Sequence, residues 1–373
     1  MRILIAPQEY KGTLTAREAA EAIAAGARRA APDAELDLVP LSDGGPGLVD
    51  ALLTARPGRR VQTRVQDPLG RPIDASFALF DDGAAVVEMA APAGLSLLNP
   101  EERDPRTAST CGVGELIAAA LAAGSGRLIV GVGGSATNDG GAGMAAALGA
   151  RLLDADGRVL PPGGAALARL DRIDVSGLDT RLKDTETLAA ADVINPLCGP
   201  EGASLVYGPQ KGATPEVARQ LDEALRHYAE VVERDTGMRV LAVPGAGAAG
   251  GLGAGLIAFL GARVRPGFEV VAEAVRLGER LSGADLVLTG EGRLDAQTMF
   301  GKAVSRVAEM ARAAGVAVIA VPGSLGDGWE SARQLLDGVE PVHAYGGESA
   351  SHALAAAAER AVRDWRARQS RQN

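Results

Sequence analysis

The segment 128–148 combines an apolar run, a glycine-rich loop and a run of small residues that suits a helix. Backbone N–H groups of such a loop, together with the N-terminus of the following helix, commonly bind an anionic ligand such as phosphate. A tight turn that needs glycine only for its backbone conformation is the alternative, and these residues alone support both interpretations about equally. The loop residues that would contact a phosphate or nucleotide are Gly133, Gly134, Ser135, Ala136, Thr137, Asn138 and Asp139.

A second loop, 289–298, carries two carboxylates, an arginine and a glutamine directly after the apolar run 284–288. A carboxylate can remove the proton of an acceptor hydroxyl, and carboxylate oxygens are ligands that Mg²⁺ prefers. Hydrogen bonding to the backbone amides of the loop is the structural alternative. The charged candidates on this loop are Glu291, Arg293 and Asp295.

Two further candidates, Lys11 and Asp43, follow the predicted strands 2–6 and 35–41. Open α/β sheets bind ligands at the carboxyl ends of their strands, which makes both positions candidates for a site. Taken singly, a surface lysine and a helix-capping aspartate are the simpler interpretations of these two residues.

The elements that must position these residues alternate between strands and helices, which predicts an α/β fold. A helix over 15–30 begins with Thr15 and Glu18 at the spacing of a capping box, and 215–235 is a second amphipathic helix. Segments 57–80 and 84–89 instead alternate like antiparallel strands and mark an entry into a second domain. The glycines of 245–251 match a dinucleotide fingerprint, but so glycine-rich a run matches easily. A close-packed entry into a buried helix over 252–260 is therefore preferred.

The composition favours a cytoplasmic protein over one that binds nucleic acid or a membrane surface. Hydrophobic residues form 47% of the 373 residues, and the formal net charge is −9. A negative chain repels nucleic acid and anionic lipid, although local cationic side chains can still hold an anionic substrate. The two cysteines and the three widely spaced histidines predict neither a disulfide framework nor a His/Cys metal site. The first apolar run is too short for a signal peptide, and no run reaches membrane-spanning length.

The chain contains the segments IAPQEYKG, LSDGGPG, VEMAAPAGL, GGSATNDGGAGM, NPLCGPEGAS, YGPQKGA, GAGAAGGLG, TGEGRLDAQT and GKA. Together they resemble the bacterial glycerate kinase family, of the type that yields 2-phosphoglycerate, over nearly the full length. The resemblance implies ATP- and Mg²⁺-dependent phosphoryl transfer to a hydroxyl of a small hydroxy acid. It also implies two α/β domains with a cleft between them. The first would be Rossmann/flavodoxin-like and comprise 1–60 plus 284–373, and the second would comprise 61–283 and carry the loop 131–143.

The resemblance also implies roles for individual residues. Phosphoryl transfer needs a phosphate cradle, carboxylates for a metal ion, and cationic groups that neutralise charge. Catalysis falls to Lys11, Glu291, Arg293 and Asp295, and Mg²⁺ to Asp192 and Asp295. Nucleotide binding falls to the loop 133–139 and Lys211. The acceptor pocket would comprise Gln8, Tyr10, Asp43, Pro46, Val113 and Ile194.

Several of these positions depart from the family pattern. Acidic or hydroxyl groups of the family are replaced here by Pro46, Ala93, Val113 and Ile194, and its PDSFKG segment by PQEYKG. Because a polar group left unpaired costs binding energy, the replacements predict an acceptor larger or less polar than glycerate.

Two other functions remain open beside this one. The chain could be a non-catalytic binding homologue, against which the intact TGEGRLDAQT segment argues, or an isomerase or lyase acting on a phosphorylated metabolite. The expected partners are a nucleotide and a hydroxy acid, bound by a cytoplasmic monomer or homodimer.

Overall fold

The computed structural model of this chain describes residues 1–299, 303–343 and 349–372. Gly301 and Lys302 of the GKA segment lie outside the described residues. The strands are β1 (Arg2–Ile5), β2 (Glu35–Leu38), β3 (Gly58–Gln66), β4 (Pro72–Phe80), β5 (Ala84–Glu88), β6 (Arg127–Gly131), β7 (Arg151–Leu153), β8 (Arg172–Asp174), β9 (Glu186–Ala190), β10 (Arg263–Arg265), β11 (Leu286–Thr289), β12 (Ala317–Ala320) and β13 (Gly338–Val339).

The α-helices connect and cover these strands. They are α1 (Ala16–Ala30), α2 (Leu48–Ala55), α3 (Ala90–Ala93), α4 (Cys111–Ala122), α5 (Ala142–Ala147), α6 (Ala203–Tyr207), α7 (Pro215–Thr236), α8 (Ala248–Leu260), α9 (Gly267–Ala274), α10 (Leu277–Leu281), α11 (Ala303–Ala313) and α12 (Ala350–Gln372). In the described part of the chain, no helix combines the length and apolar character that a bilayer crossing requires.

The chain forms two compact units, and both are α/β structures as the sequence predicted. Unit 1 comprises Met1–Asp43, Asp50–Arg56 and Phe268–Asn373, so it is built from both ends of the chain. Unit 2 comprises Gly44–Val49 and Pro57–Gly267. The return to unit 1 falls at Phe268, earlier than the expected position 284.

Unit 1 contains a five-stranded parallel sheet in the order β13-β12-β11-β1-β2. Counted along the unit from its β2 edge, this is the order 2-1-3-4-5 of flavodoxin-like folds, which confirms the Rossmann/flavodoxin-like expectation. Ile5 pairs with Leu288 of β11 and with Leu38 of β2. The strand order reverses between β1 and β11, and ligands in such sheets bind at the carboxyl ends of the two strands that flank the reversal.

Helix α1 begins with the predicted capping box. Thr15 Oγ1 accepts the Glu18 N–H at 3.2 Å, and the Glu18 carboxylate accepts the Thr15 N–H at 2.8 Å.

Small side chains allow α1 and α12 to pack closely in the core of unit 1. A Cβ on Gly26 would lie 2.0 Å from the Ala355 carbonyl oxygen, so only glycine allows this helix contact.

Unit 2 contains a six-stranded mixed sheet in the order β10-β9-β6-β5-β4-β3. Strands β3, β4 and β5 form an antiparallel meander, which confirms the predicted change of character over 57–89. Strands β5, β6, β9 and β10 are parallel. The loops that follow β5, β6 and β9 therefore leave the sheet at the same edge, and the glycine-rich loop is one of them.

Candidate active site

The loops that follow β1 and β11 lie side by side at the reversal point of the unit 1 sheet. The Gln8 N–H donates to the Gly290 carbonyl at 2.9 Å, and the Thr289 hydroxyl donates to the Ala6 carbonyl at 2.8 Å. The strand register thus aligns two loops that are far apart in sequence. The predicted site residues that it gathers at this edge are Gln8, Tyr10, Lys11, Glu291, Arg293 and Asp295.

Glu291 is held rigidly within its own loop. Its side chain is 8% exposed, and its carboxylate accepts the Thr298 hydroxyl at 2.8 Å. The same hydroxyl oxygen accepts the Asp295 N–H at 3.2 Å. Thr298 is fully buried, and no motif marked it as a candidate site residue. Its place in the TGEGRLDAQT segment was the only signal, because a threonine is common in any turn.

Arg293 and Asp295 form a more accessible pair on this loop. Arg293 Nε lies 3.6 Å from Asp295 Oδ2, and the side chains are 62% and 23% exposed. Lys11 on the facing loop is exposed as well. Two cations and an accessible carboxylate at a strand-reversal point can bind an anion and accept a proton from a hydroxyl.

Tyr10 connects this site to the end of β12. Its hydroxyl donates to the Val321 carbonyl oxygen, and the residue is 4% exposed. Burial and the negative charge of Glu291 raise the pKa of Tyr10. The hydroxyl therefore stays protonated at neutral pH and acts as a donor rather than as a base.

Tyr10→Phe is expected to lower the free energy of unfolding by about 1–2 kcal/mol, because the Val321 carbonyl would lose its buried donor. We expect kcat to change by less than about 10-fold, since the buried hydroxyl already donates to the Val321 carbonyl. Urea unfolding followed by circular dichroism, together with steady-state kinetics, measures both quantities. A loss of kcat far above this bound would place the hydroxyl in the chemistry.

Glu9 is a charged neighbour of the site that was not among the predicted site residues. Burial raises the pKa of Glu9, Lys11 lowers it, and Asp43 raises it further. The loops that follow β1 and β2 thus place two carboxylates and a lysine within electrostatic range of one another. The predicted residue Asp43 belongs to this group, and Glu9 becomes recognisable only once the two loops are seen together.

In unit 2, Asp139 caps the helix that follows the glycine-rich loop. The Asp139 side chain is fully buried and accepts the N–H groups of Thr110 (2.8 Å), Gly141 (3.1 Å) and Gly143 (3.2 Å). The Thr110 hydroxyl donates to the same carboxylate at 2.9 Å. Burial raises the pKa of Asp139, and these donors oppose the shift. The first turn of α5 therefore has its N–H groups satisfied by the chain itself.

The buried side chains of Lys211 and Asn138 stabilise the loop through hydrogen bonds. Lys211 is 1% exposed, and its Nζ donates to Ser135 Oγ and to the Thr137 carbonyl, both at 2.7 Å. Asn138 Nδ2 donates to Ser204 Oγ at 2.9 Å. Among the described residues, the buried Oδ1 of Asn138 has no hydrogen-bond donor. Thr137 and Asn138 have no exposed surface, so these side chains support the loop from within.

The glycine-rich segment 245–251 supplies the opposite wall of the loop. Residues 249–251 have positive φ angles, including Ala249 at 54°, and the Gly250 carbonyl accepts the Gly140 N–H at 3.0 Å. A Cβ on Gly250 would lie 1.9 Å from the Thr137 carbonyl oxygen. This segment is thus a close-packed entry into α8, which confirms the interpretation preferred over a dinucleotide fingerprint.

The accessible face of the loop is its first part. Gly134 is exposed, Gly133 is half-buried and Ser135 is 7% exposed. The Gly133 N–H donates to the Gly44 carbonyl at 3.2 Å, which places the loop 44–47 alongside. The exposed ring of Pro46 lies 3.3 Å from the position of a Cβ on Gly134. The structure therefore brings the predicted residue Pro46 to the only exposed position of the 133–139 loop.

The remaining predicted residues of unit 2 differ in their surroundings. Asp192 and Ile194 follow β9 at the same edge of the sheet, and Ile194 is 83% exposed. The loop that carries Ile194 is fixed by Asn195, whose Oδ1 accepts the Tyr207 hydroxyl at 2.8 Å. Val113 has no exposed surface and packs in the hydrophobic core. Its position favours packing over contact with a substrate.

Carboxylates suited to Mg²⁺ are present in both units. The described residues contain no group of three or more His, Cys, Asp or Glu side chains arranged for a metal ion. Mg²⁺ bound with a nucleotide needs only one or two protein carboxylates, because phosphate oxygens and water complete its shell. Asp295 in unit 1 and Asp192 in unit 2 are each partly or fully exposed, and each by itself could supply one such carboxylate.

Comparisons with known proteins agree with this architecture. The pattern of the glycerate kinase family matches residues 3–367. A glycerate kinase from Halalkalibacterium halodurans is 49% identical over 330 residues, which are 88% of this chain and 87% of that protein. A glycerate 2-kinase from Escherichia coli K12 is 49% identical over 328 residues, 88% of this chain and 86% of that protein. A crystal structure from Salmonella typhimurium LT2, described as a glycerate kinase 2, has a TM-score of 0.88 and 46% identity, with 99% of both chains covered.

The fold, the charged loops and these similarities define the class of protein, an α/β kinase with a hydroxyl acceptor. Within that class, the chain belongs to the glycerate kinase family. Its substrates are accordingly a nucleotide and a small molecule that carries the hydroxyl.

Proposed function

We propose that the protein transfers the terminal phosphoryl group of ATP to the 2-hydroxyl of glycerate, with Mg²⁺ as the metal ion. The main support is the group of charged residues at the reversal point of the unit 1 sheet, where Lys11 and Arg293 accompany the carboxylate of Asp295. A small hydroxy acid presents one carboxylate and one reacting hydroxyl, and this group offers a partner for each. The relative named glycerate 2-kinase supports the 2-position.

On the acceptor side, Lys11 and Arg293 bind the substrate carboxylate and the transferring phosphoryl group. Asp295 accepts the proton of the attacking hydroxyl, because its carboxylate is accessible while that of Glu291 is buried against Thr298. Glu291 stabilises the loop through its hydrogen bond from Thr298, and its negative charge acts on Tyr10. Mg²⁺ would neutralise charge on the phosphate oxygens, and Asp295 in unit 1 and Asp192 in unit 2 are the candidate carboxylates, each considered by itself.

On the nucleotide side, the backbone N–H groups of Gly134 and Ser135 face the phosphates. Gly134 is the exposed position of the loop, and it has φ = 77°. A residue without a side chain lets phosphate oxygens approach the backbone closely. Asn138, Asp139 and Lys211 contribute by holding this segment in place rather than by direct contact.

Glycerate is the first acceptor to test, and a larger or less polar acceptor is the second. Two of the replacements that suggested a changed acceptor, Ala93 and Val113, are fully buried. Pro46 and Ile194 are exposed, and Ile194 offers an apolar surface at a position where the resemblance to the family implies a polar group. These two positions keep the second acceptor class in consideration. We further propose that the enzyme acts in the cytoplasm as a monomer or homodimer.

ATP consumption over a panel of hydroxy acids tests the proposal. We expect Mg²⁺-dependent turnover with glycerate, and thermal stabilisation of the free protein by Mg-ATP, because a ligand of the native state shifts the unfolding equilibrium. Preference for a bulkier acid would identify the second acceptor class. Absence of both turnover and stabilisation by Mg-ATP would favour a non-catalytic homologue or chemistry on an already phosphorylated compound.

A further inference from the structure

Lys211 occupies a fixed and fully enclosed position in unit 2. It ends a short 3₁₀ turn, Pro209–Lys211, and its N–H donates to the Gly208 carbonyl at 2.9 Å. The next residue, Gly212, has φ = 96°, and a Cβ there would lie 2.2 Å from the Arg103 carbonyl oxygen. The turn therefore has little freedom to move, and the lysine side chain extends from an immobile base.

The head of this side chain joins two points of the glycine-rich loop. Nζ donates at 2.7 Å to Ser135 Oγ and at 2.7 Å to the Thr137 carbonyl, one residue on each side of Ala136. The Ala136 N–H itself donates to the Ala93 carbonyl at 2.9 Å. Three consecutive residues are thus attached to two separate supports, and they directly follow the exposed Gly134.

We propose that Lys211 is a positioning residue that fixes the nucleotide-facing segment 133–135 through Ser135 and Thr137 and does not itself touch the nucleotide. The proposal rests on the proposed function, since it assigns the phosphates to that segment. With 1% of its surface exposed, Lys211 has no face that a ligand in solvent could reach. A lysine that contacted phosphate directly would instead have its Nζ exposed beside Gly134.

The burial of Lys211 gives it a distinctive pH dependence. Burial lowers the pKa of Lys211 to about 7, and the Asp139 carboxylate opposes this shift. The hydroxyl of Tyr228, from α7, donates to the Gly140 carbonyl at 3.0 Å, and its pKa is raised, so it stays neutral. As the pH rises through about 7, Lys211 loses its charge, and charged donors bond more strongly than neutral ones. We therefore expect the segment to loosen and the nucleotide KM to rise.

The free energy of unfolding should rise over the pH range in which nucleotide affinity falls. An unfolded lysine keeps its proton up to about 10.5, so between pH 7 and 10.5 the unfolded state binds more protons than the native state. The contribution of Lys211 to the free energy of unfolding consequently rises with pH across this range. A residue that only supported the fold would not couple rising stability to falling nucleotide affinity.

Lys211→Met is the main test, with Lys183→Met as the matched control at an exposed lysine outside the site. Methionine fills a similar volume but leaves the Thr137 carbonyl and Ser135 Oγ without their lysine donor, so we expect a loss in the free energy of unfolding. We expect the nucleotide KM to rise by about 10- to 100-fold, because small misplacements of a binding segment have effects of this size. The acceptor KM should stay within about 3-fold, and the rise of nucleotide KM above pH 7 that we expect of the wild type should be absent from this variant.

Hydrogen–deuterium exchange of the free protein measures how firmly Lys211 fixes the loop, and it does not depend on catalytic turnover. We expect the amides of 133–140 to exchange faster in Lys211→Met than in the wild type. In Lys183→Met their exchange rates should equal those of the wild type. An increased nucleotide KM with unchanged exchange would overturn the proposal in favour of direct contact, and an unchanged KM would also overturn it. If the wild type proves to have no kinase activity, the proposed function fails, while exchange still decides whether Lys211 orders this segment.

A double-mutant cycle with Ser135→Ala separates anchoring from independent contributions. If Lys211 acts through Ser135, the two substitutions together should lower kcat/KM for the nucleotide little more than the stronger single substitution does. Effects that multiply would contradict the proposal. Should Lys211→Met fail to fold, Ser135→Ala removes one of the two lysine partners and allows the exchange and KM measurements at smaller amplitude.

Discussion

Asp295→Asn is expected to lower kcat by about 100- to 10,000-fold, the usual contribution of a general base. The asparagine keeps the size of the side chain but cannot accept the proton of the attacking hydroxyl, and it is a weaker ligand for Mg²⁺. Stability should change little, because the side chain pairs with Arg293 at 3.6 Å and that arginine is 62% exposed. Steady-state kinetics and a thermal melt measure the two quantities.

Asp327→Asn is the matched control for this substitution. Asp327 is an exposed aspartate on the neighbouring loop, and its carbonyl oxygen, which the substitution leaves in place, accepts the Ala296 N–H at 3.0 Å. We expect kcat to remain within about 2-fold of the wild type in the control, because the Asp327 side chain is exposed and the substitution keeps its backbone hydrogen bond to Ala296. An Asp295→Asn variant with wild-type kcat would remove this residue from the chemistry and leave Glu291 as the remaining carboxylate of the loop.

Gly250→Ala is expected to lower the free energy of unfolding by roughly 3 kcal/mol or more, since it adds overpacking to an unfavourable backbone conformation. The new Cβ would lie 1.9 Å from the Thr137 carbonyl oxygen and 2.7 Å from Asn138 Cα, and φ at this position is +67°. Backbone atoms must then move, and they belong to the loop that Lys211 also holds. We therefore expect the nucleotide KM to rise together with the loss of stability.

Gly237→Ala separates the two causes. Gly237 has φ = +76° at the C-terminus of α7, and no described atom lies within 4 Å of its missing Cβ. This control should cost only the backbone strain, about 1–2 kcal/mol, and should leave the nucleotide KM unchanged. Chemical denaturation followed by far-UV circular dichroism compares the two variants. An equal decrease in the free energy of unfolding of both variants would mean that the contact with Thr137 does not contribute to the effect of Gly250→Ala.

The helices and strands followed from local sequence signals. The capping box at Thr15 and Glu18 and the alternation over 57–80 depend on residues close together in the chain, and both form as predicted. Side-chain burial did not follow in the same way. Val113 was expected in the acceptor pocket and packs in the core, because motif position does not reveal which face of α4 a residue occupies.

Local sequence signals did not predict which residues of the candidate site lie close to one another. Glu9, Lys11 and Asp43 come within electrostatic range only because β1 and β2 are neighbours in the sheet. Thr298 gains its role from two hydrogen bonds that close the loop on itself. Such contacts depend on strand order and turn geometry, which a search for motifs does not encode.

The sequence by itself determined the α/β class, the membership of the family and the loops that carry chemistry. These properties depend on residue types and on short-range spacing. Only the tertiary structure decided which of the polar residues in and around the glycine-rich loop are exposed. The sequence presented Asn138, Asp139 and Lys211 as candidate ligands for phosphate, and the fold buries the side chains of all three. A buried polar group must be satisfied by its own protein, and burial is a property of the whole packed unit.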